Sequence, residues 1–402
     1  MPRGLDVNRR AGVDAVIVGG GVVGAACALA LARCGLDVAL VEGAVPRPWD
    51  RAHPDLRVYA FAADNASLLD ALGVWNSVQA ARVHPYRRMR VWDAGGGGEL
   101  VFDADAFARR ELGWIVEHGL LLDRLWAALP GAGVRVHCPA RVAALEPMQD
   151  GDEFARLQLE DGTRLQARIA IAADGAQSTL RQLAGLEIDR HDYAQRGIVG
   201  YVATANPHQD TAWQRFLPTG PLAFLPCADG SSSIVWTLPE VEATRVLALD
   251  DHAFGEALAR AFDARLGSVR PLSPRVAFPL RRQLVESYVR HRVLVLGDAA
   301  HAVHPLAGQG VNLGLRDVAA LHAAVDAAQR AGADWAAPAR LARWARGRKS
   351  ENALAAHAFE GINRLYGSDS MAATLLRGPL LGLAGKLPPL THMLWKKAAG
   401  LT

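Results

Sequence analysis

The chain has 402 residues, 50% of them hydrophobic, and its 44 Lys and Arg nearly balance 41 Asp and Glu for a net charge of +3. That length can bury a large core, in two domains or in one large domain with an inserted lobe. The small charge, with no basic block interleaved with aromatics, argues against nucleic acid as a partner, and four cysteines (Cys27, Cys34, Cys138, Cys227) without C-x-x-C spacing suit a reducing cytoplasm.

The first element is an apolar strand, Val16-Ile17-Val18, leading into Gly19-Gly20-Gly21-Val22-Val23-Gly24 and an Ala/Leu-rich helical pattern. This is a G-x-G-x-x-G in its strand–turn–helix setting, and Glu42 closes the next strand, 36–41. Gly19 makes the tight turn, Gly21 lets a pyrophosphate approach the backbone, Gly24 lets helix pack on strand, and Glu42 can bind ribose hydroxyls. Residues 15–32 form an uncharged run after Arg9-Arg10 that imitates a signal peptide or a spanning helix. Three consecutive glycines make a poor helix centre, so both readings are rejected. Cys27, within this run, is expected to be a small buried filler.

Up to about residue 75 the pattern reads β-α-β-α, the opening of a parallel sheet. Residues 134–172 read as short strands with turns at Gly151-Asp152 and Asp161-Gly162, ending in Asp174-Gly175-Ala176-Gln177-Ser178, with Arg181 beyond. An Asp-Gly turn there can present a carboxylate and N–H groups to a ligand. From 186 to 285 strands dominate, at 198–205, 211–217, 222–226 and 232–238, with one helix near 250–266. An apolar strand at 292–296 then leads into Gly297-Asp298-Ala299-Ala300-His301, followed by Pro305, Gly308-Gln309-Gly310, Asn312, Gly314 and Asp317 and a helical region to about 365. An acidic side chain and free N–H groups at a helix N-terminus can receive a ribityl chain, a pyrophosphate or a flavin ring, and glycines at 308, 310 and 314 allow close approach of a ligand.

Taken together, the three motifs resemble the fingerprints of the group A FAD-dependent aromatic hydroxylases, those with the p-hydroxybenzoate hydroxylase fold. Within them the pattern is similar to the ubiquinone-biosynthesis hydroxylases, through Gly297 to His301, Pro305 to Gly310, Asn312, Arg316-Asp317, Gly113-Trp114-Ile115-Val116-Glu117 and the tail Leu387-Pro388-Pro389-Leu390. Three stretches depart from it. Arg57-Val58-Tyr59-Ala60-Phe61-Ala62 stands where relatives show Arg and then Ala-Leu-Ser, His118-Gly119 replaces an Asn-containing pair, and Ala173 precedes Asp174 where Gly is frequent.

The resemblance implies an α/β fold: a Rossmann-like FAD-binding domain with a parallel sheet, a mostly antiparallel β-sheet substrate domain and a helical C-terminus. The expected division is FAD-binding domain 1–185 (hairpin element about 134–172), β-rich substrate domain 186–285, FAD-binding domain again at 286–365, and a C-terminal apolar and cationic segment, 366–402. It also implies FAD as cofactor, NAD(P)H and O2 as co-substrates, and hydroxylation of a polyprenyl phenol through a flavin C4a-hydroperoxide. Glu42 would hold the adenosine ribose, Asp298 the ribityl chain and the Pro305 to Gly310 loop the isoalloxazine edge, with Gly297 and Asn312 also counted as cofactor-binding. Asp174 would position FAD and serve nicotinamide access, and Arg57 is either a flavin or phosphate contact or a surface ion pair.

No protein residue is assigned a catalytic role, because the flavin performs the difficult step. His301 and His304 lack a third ligand, so no metal site is expected. Phe216, Phe224 and Pro226 are candidate substrate-lining residues, each also readable as core. The tail mixes Leu375, Leu380 and Trp395 with Arg377, Lys386, Lys396 and Lys397 and is broken by Pro379, Pro388 and Pro389. It suits either a membrane-surface contact or packing on the protein's own body or another subunit. The corresponding expectations are a cytoplasmic protein, peripheral to the inner face of the membrane, in a homo-oligomer or beside other ubiquinone-biosynthesis proteins. Two alternatives remain: a flavin-dependent reductase or dehydrogenase of a prenyl lipid, and a non-catalytic FAD-bound scaffold.

Overall fold

A computed structural model describes residues 12–95, 98–302 and 310–367. Pro305, Gly308, Gln309 and the C-terminal segment from residue 368 lie outside the described residues.

The first strand, Val13–Val18, is apolar on both faces, the pattern of a parallel strand covered on each side. It sits between Arg164–Ala172 and Val38–Val41, paired in parallel with each. Val293–Val295 extends the parallel array on one side and Arg135–His137 on the other. Val142–Leu145, Ala155–Leu159 and Arg164–Ala172 form an antiparallel meander, in accord with the turns read at 151–152 and 161–162. The helix Val22–Arg33 follows the glycine turn directly, so the run 15–32 is a strand, a turn and a helix. Among the described residues no helix is long and apolar enough to cross a membrane.

The second sheet is mostly antiparallel. Its order is His301–Ala302, Val276–Val285, Ile188–Thr204, Ser232–Pro239, Gly220–Pro226, Thr211–Leu217, Arg88–Asp93 and Glu99–Asp103. Three of these strands lie outside 186–285 in sequence, and Arg88–Asp93 joins Thr211–Leu217 in parallel. The helix expected near 250–266 is Asp251–Ala261, and a second helix, Glu240–Leu247, precedes it. The chain breaks between them because Asp250 caps Asp251–Ala261, its side chain accepting from the Ala253 N–H at 2.8 Å. These helices close an aromatic core in which Phe224 and Phe262 stack 4.1 Å apart.

A small third sheet joins Val58–Phe61 and Val83–Tyr86 to either side of Gly113–Glu117. The helix Gly310–Arg330 returns the chain to the first sheet, crossing Val22–Arg33 closely because Gly314 has no side chain: a Cβ there would lie 2.7 Å from Val23. Gly314 therefore serves protein packing rather than ligand approach.

Candidate active site: a cofactor cleft

Parallel strands that point one way end together, and their carboxyl ends form the binding edge of an open α/β sheet. Here Val18, Val41, Ala172 and Val295 end neighbouring strands, so Gly19, Glu42, Asp174 and Gly297 arrive at one edge although they are far apart in sequence. They line one cleft of about 1280 Å³, with Gly21, Arg57, Asp298 and Gly310.

Two glycines of the first motif have opposite jobs. Gly24 is required by the protein, since a Cβ would fall 1.9 Å from the Gly19 carbonyl oxygen. Gly21 is not, since a Cβ there would meet no protein atom within 4 Å and would enter the cleft. The space beside Gly21 is left for a ligand, and so is that beside Gly310, where the helix Gly310–Arg330 begins. Gly19 has φ +103, and its turn is pinned by the next residue: the Gly20 N–H donates to Glu42 Oε2 at 2.6 Å and Trp126 Nε1 to the Gly20 carbonyl at 2.7 Å. Glu42 is thus fixed at the cleft edge by the loop it borders.

Asp298 lies in a short 3₁₀ turn, Gly297–Ala299, and faces the cleft. No described residue gives its carboxylate a hydrogen bond, and the residue is exposed within the open cleft with groups of both lobes around it. Desolvation therefore raises its pKa, against the opposing pull of His301 and Arg57. An acceptor without a protein partner, beside two glycines with room at their Cα, fits a hydroxyl-bearing cofactor such as the ribityl chain of FAD.

The Asp-Gly turn is more structural than its sequence suggests. Asp174 lines the cleft, but its carboxylate accepts from Ser178 Oγ and from the Leu180 N–H at 3.2 Å, holding the start of the helix Thr179–Leu183. Gln177, which the sequence did not single out, also lines the cleft. Arg181 is buried beneath and donates from Nη1 to the carbonyls of Ala176 and Ala299. It ties the second motif to the third.

Asn312 is placed away from the cleft. Its Nδ2 donates to the Ala60 carbonyl at 2.8 Å, while its Oδ1 accepts from the Ala62 N–H at 3.1 Å and Asn65 Nδ2 at 2.9 Å. It bolts the helix Gly310–Arg330 to Val58–Phe61. Asp317 is likewise behind the site, fully buried, accepting from the Gly297 N–H, Arg348 and Asn352 and paired with His301 Nε2 at 2.6 Å. Burial would raise its pKa, yet the charge and hydrogen bonds of His301, with Arg348 and Asn352, hold it below the ordinary value.

The opposite wall belongs to the second sheet. Val276, Val199 and Val235 are directly opposed across three strands, and Phe278 stands beside Gly197, where an added Cβ would touch its ring at 3.0 Å. Val276, Val199, Val235 and Phe278 line the cleft, and Val276 and Phe278 are 45% and 39% exposed, so the wall opposite the motifs is apolar and open. Phe216 and Phe224 are buried in cores elsewhere, and neither lines this cleft, nor does Pro226. Their apolar character suits a core and a substrate wall equally, so only the docking of the sheets separates the two. Arg57, Tyr59 and His118 complete the lining near Asp298, and Arg141 lies beside Gly43 at the Glu42 end.

Among the described residues, His84, His208 and Asp210 come close enough to share an ion. Both ring nitrogens of His208 are already engaged, by the Asp210 N–H and the Cys227 carbonyl, so the cluster is read as structural.

Known proteins share the sequence pattern and the fold. The model for the FAD binding domain matches residues 12–352. Two relatives of similar length are 38% identical: 3-demethoxyubiquinol 3-hydroxylase of Escherichia coli, over 94% of this chain and 92% of that one, and ubiquinone hydroxylase UbiL of Rhodospirillum rubrum, over 96% and 89%. The chain belongs to the FAD-dependent ubiquinone-biosynthesis hydroxylase family. The crystal structure of p-nitrophenol 4-monooxygenase PnpA from Pseudomonas putida is 20% identical with a TM-score of 0.78, covering 96% of this chain and 98% of that one, and shares the fold. This hydroxylase sets its glycine motifs and acidic residues on the parallel sheet and faces them with a mostly antiparallel one.

Proposed function

We propose that this chain is an FAD-dependent monooxygenase that uses NAD(P)H and O2 to hydroxylate the aromatic ring of a polyprenyl phenol in ubiquinone biosynthesis. The observation that carries the reading is the two-faced cleft: glycines with room at their Cα and an Asp298 without a hydrogen-bond partner among the described residues on one wall, the apolar row Val276, Val199, Val235 and Phe278 on the other. FAD bound there supplies the redox and oxygen-activating chemistry. Gly21 gives backbone access for its pyrophosphate, Glu42 is placed for the ribose, and Gly297, Asp298 and Gly310 border the flavin end. The apolar wall orients an aromatic ring and keeps water from it. Pro305, Gly308 and Gln309 are assigned to the isoalloxazine edge by family resemblance, and Asp174 to cofactor positioning in addition to its turn.

The relatives' names, together with the apolar wall, support a prenylated phenol as substrate. The cytoplasmic location, the peripheral contact with the inner face of the membrane and the homo-oligomeric or multi-enzyme assembly are inferred from the cysteine usage and the apolar, cationic tail. The test uses the purified FAD-loaded protein. NAD(P)H oxidation should be stimulated by a prenylated phenol, consume O2 and yield a product heavier by one oxygen atom. NAD(P)H-dependent reduction of the lipid without oxygen insertion would make the protein a reductase, and a flavin that NAD(P)H does not reduce would make it a scaffold.

A further inference from the structure

The two longest departures from the family pattern meet in space. Tyr59, in the first of them, pairs in register with Val116 across the third sheet, and His118 opens the helix His118–Ala128. The Tyr59 hydroxyl lies 2.7 Å from His118 Nδ1, the rings are edge-on at 5.8 Å, and both side chains line the cofactor cleft. The charged groups facing the pair are Arg57, which also hydrogen-bonds the Tyr59 hydroxyl and leaves its second lone pair open, Asp55 from the same preceding loop, and Asp298 from the Gly297–Ala299 turn.

One hydrogen bond between a phenol and an imidazole can run in either direction, and the imidazole's proton count decides which. A neutral His118 with a free Nδ1 lone pair accepts from the Tyr59 O–H, leaving the hydroxyl oxygen able to accept from a ligand. A protonated His118 donates from Nδ1, so the Tyr59 O–H is released to donate into the cleft. We propose that Tyr59 and His118 form a positioning pair for the flavin cofactor, in which the protonation state of His118 sets whether the Tyr59 hydroxyl presents an acceptor or a donor to it.

Burial, and next the Arg57 guanidinium, lower the His118 pKa, with Asp55 opposing, while burial raises that of Tyr59. The resting pair at neutral pH is therefore Tyr59 O–H to neutral His118, the acceptor state. The inference rests on the FAD reading, and the two fail differently: without that reading the wild-type protein carries no FAD at all.

The experiment follows the visible absorbance of bound FAD in the loaded protein from about pH 8 to about pH 5. The expected result is a spectral change with one midpoint below the ordinary histidine value of about 6.5. It should vanish in Tyr59→Phe and in His118→Asn, with nothing further lost in the double variant. A change that persists in His118→Asn, or a loaded wild-type protein whose spectrum is invariant, overturns the proposal. Should a variant release FAD, NMR titration of His118 in the apo-protein replaces the spectrum. Tyr59→Phe removes a bond that the two protonation states of His118 make with unequal strength, so the midpoint should move, and an unmoved midpoint overturns the pair.

Discussion

Arg181 donates from Nη1 to the Ala299 carbonyl oxygen at 2.9 Å, joining two motifs that lie 118 residues apart. The guanidinium is 1% exposed and also holds the Ala176 carbonyl, so the Asp-Gly turn and the Gly297–Ala299 turn move as one body. Desolvation lowers the pKa of this arginine, Arg190 adds to that, and Asp174 offsets part of it. A charged group kept at such a position implies that the geometry it fixes matters.

Arg181→Met should therefore loosen both turns at once. Losing charge-assisted bonds to buried carbonyls costs about 1.5–3 kcal/mol each. Urea unfolding should register a loss of at least that size, and FAD affinity should fall with it. A variant of unchanged stability would separate the two motifs.

Gly21 and Gly24 provide a contrast. Gly21→Val places its side chain in the cleft and should give well-folded protein without FAD, whereas Gly24→Val collides with the Gly19 backbone and should not fold. Circular dichroism read beside flavin content distinguishes the outcomes, and a flavin-replete Gly21→Val would remove this loop from the pyrophosphate site.

Asp298 should trade stability against binding. Its folded-state pKa is raised above the ordinary 3.8, so folding favours its protonated form and the apo-protein loses stability as pH rises from that ordinary value through the raised one. Asp298→Asn should then have a higher Tm than wild type in the apo form at neutral pH. Asp298→Ala should bind FAD more weakly by about 1.5–3 kcal/mol, roughly one to two orders of magnitude in Kd. Titration calorimetry and differential scanning calorimetry measure the two arms.

The sign reverses for Asp317, whose folded-state pKa is depressed. Its contribution is present above the ordinary carboxylate value and lost as pH falls through the lower folded-state one. Asp317→Leu would strand the buried Arg348 charge and should cost about 3–5 kcal/mol, seen as a lower urea midpoint at neutral pH.

Phe278→Asp tests the apolar wall. It should lower kcat/KM for a prenylated phenol with FAD content unchanged, because Phe278 belongs to the sheet opposite the cofactor motifs. Loss of FAD from this variant would place the flavin on the other wall.

Glycine spacing, the acid after the second strand and the string from Gly297 to Asp317 were local signals, and local signals survive in sequence because backbone conformation and ligand approach constrain the residue at its own position. They were enough to name the fold class and the cofactor. They could not tell which motif residues face the cleft: Gly21 and Asp298 do, while Asn312, Asp317 and Gly314 hold protein to protein. The two longest departures were legible as well, but only as oddities. That Tyr59 and His118 form one hydrogen-bonded pair depends on Val58–Phe61 lying against Gly113–Glu117, a strand register that no property of either segment specifies alone. The apolar wall was hidden for the same reason. Alternation assigns a strand two faces, and only the pairing of Val276–Val285 with Ile188–Thr204, and the docking of that sheet over the cleft, decides which face meets a substrate.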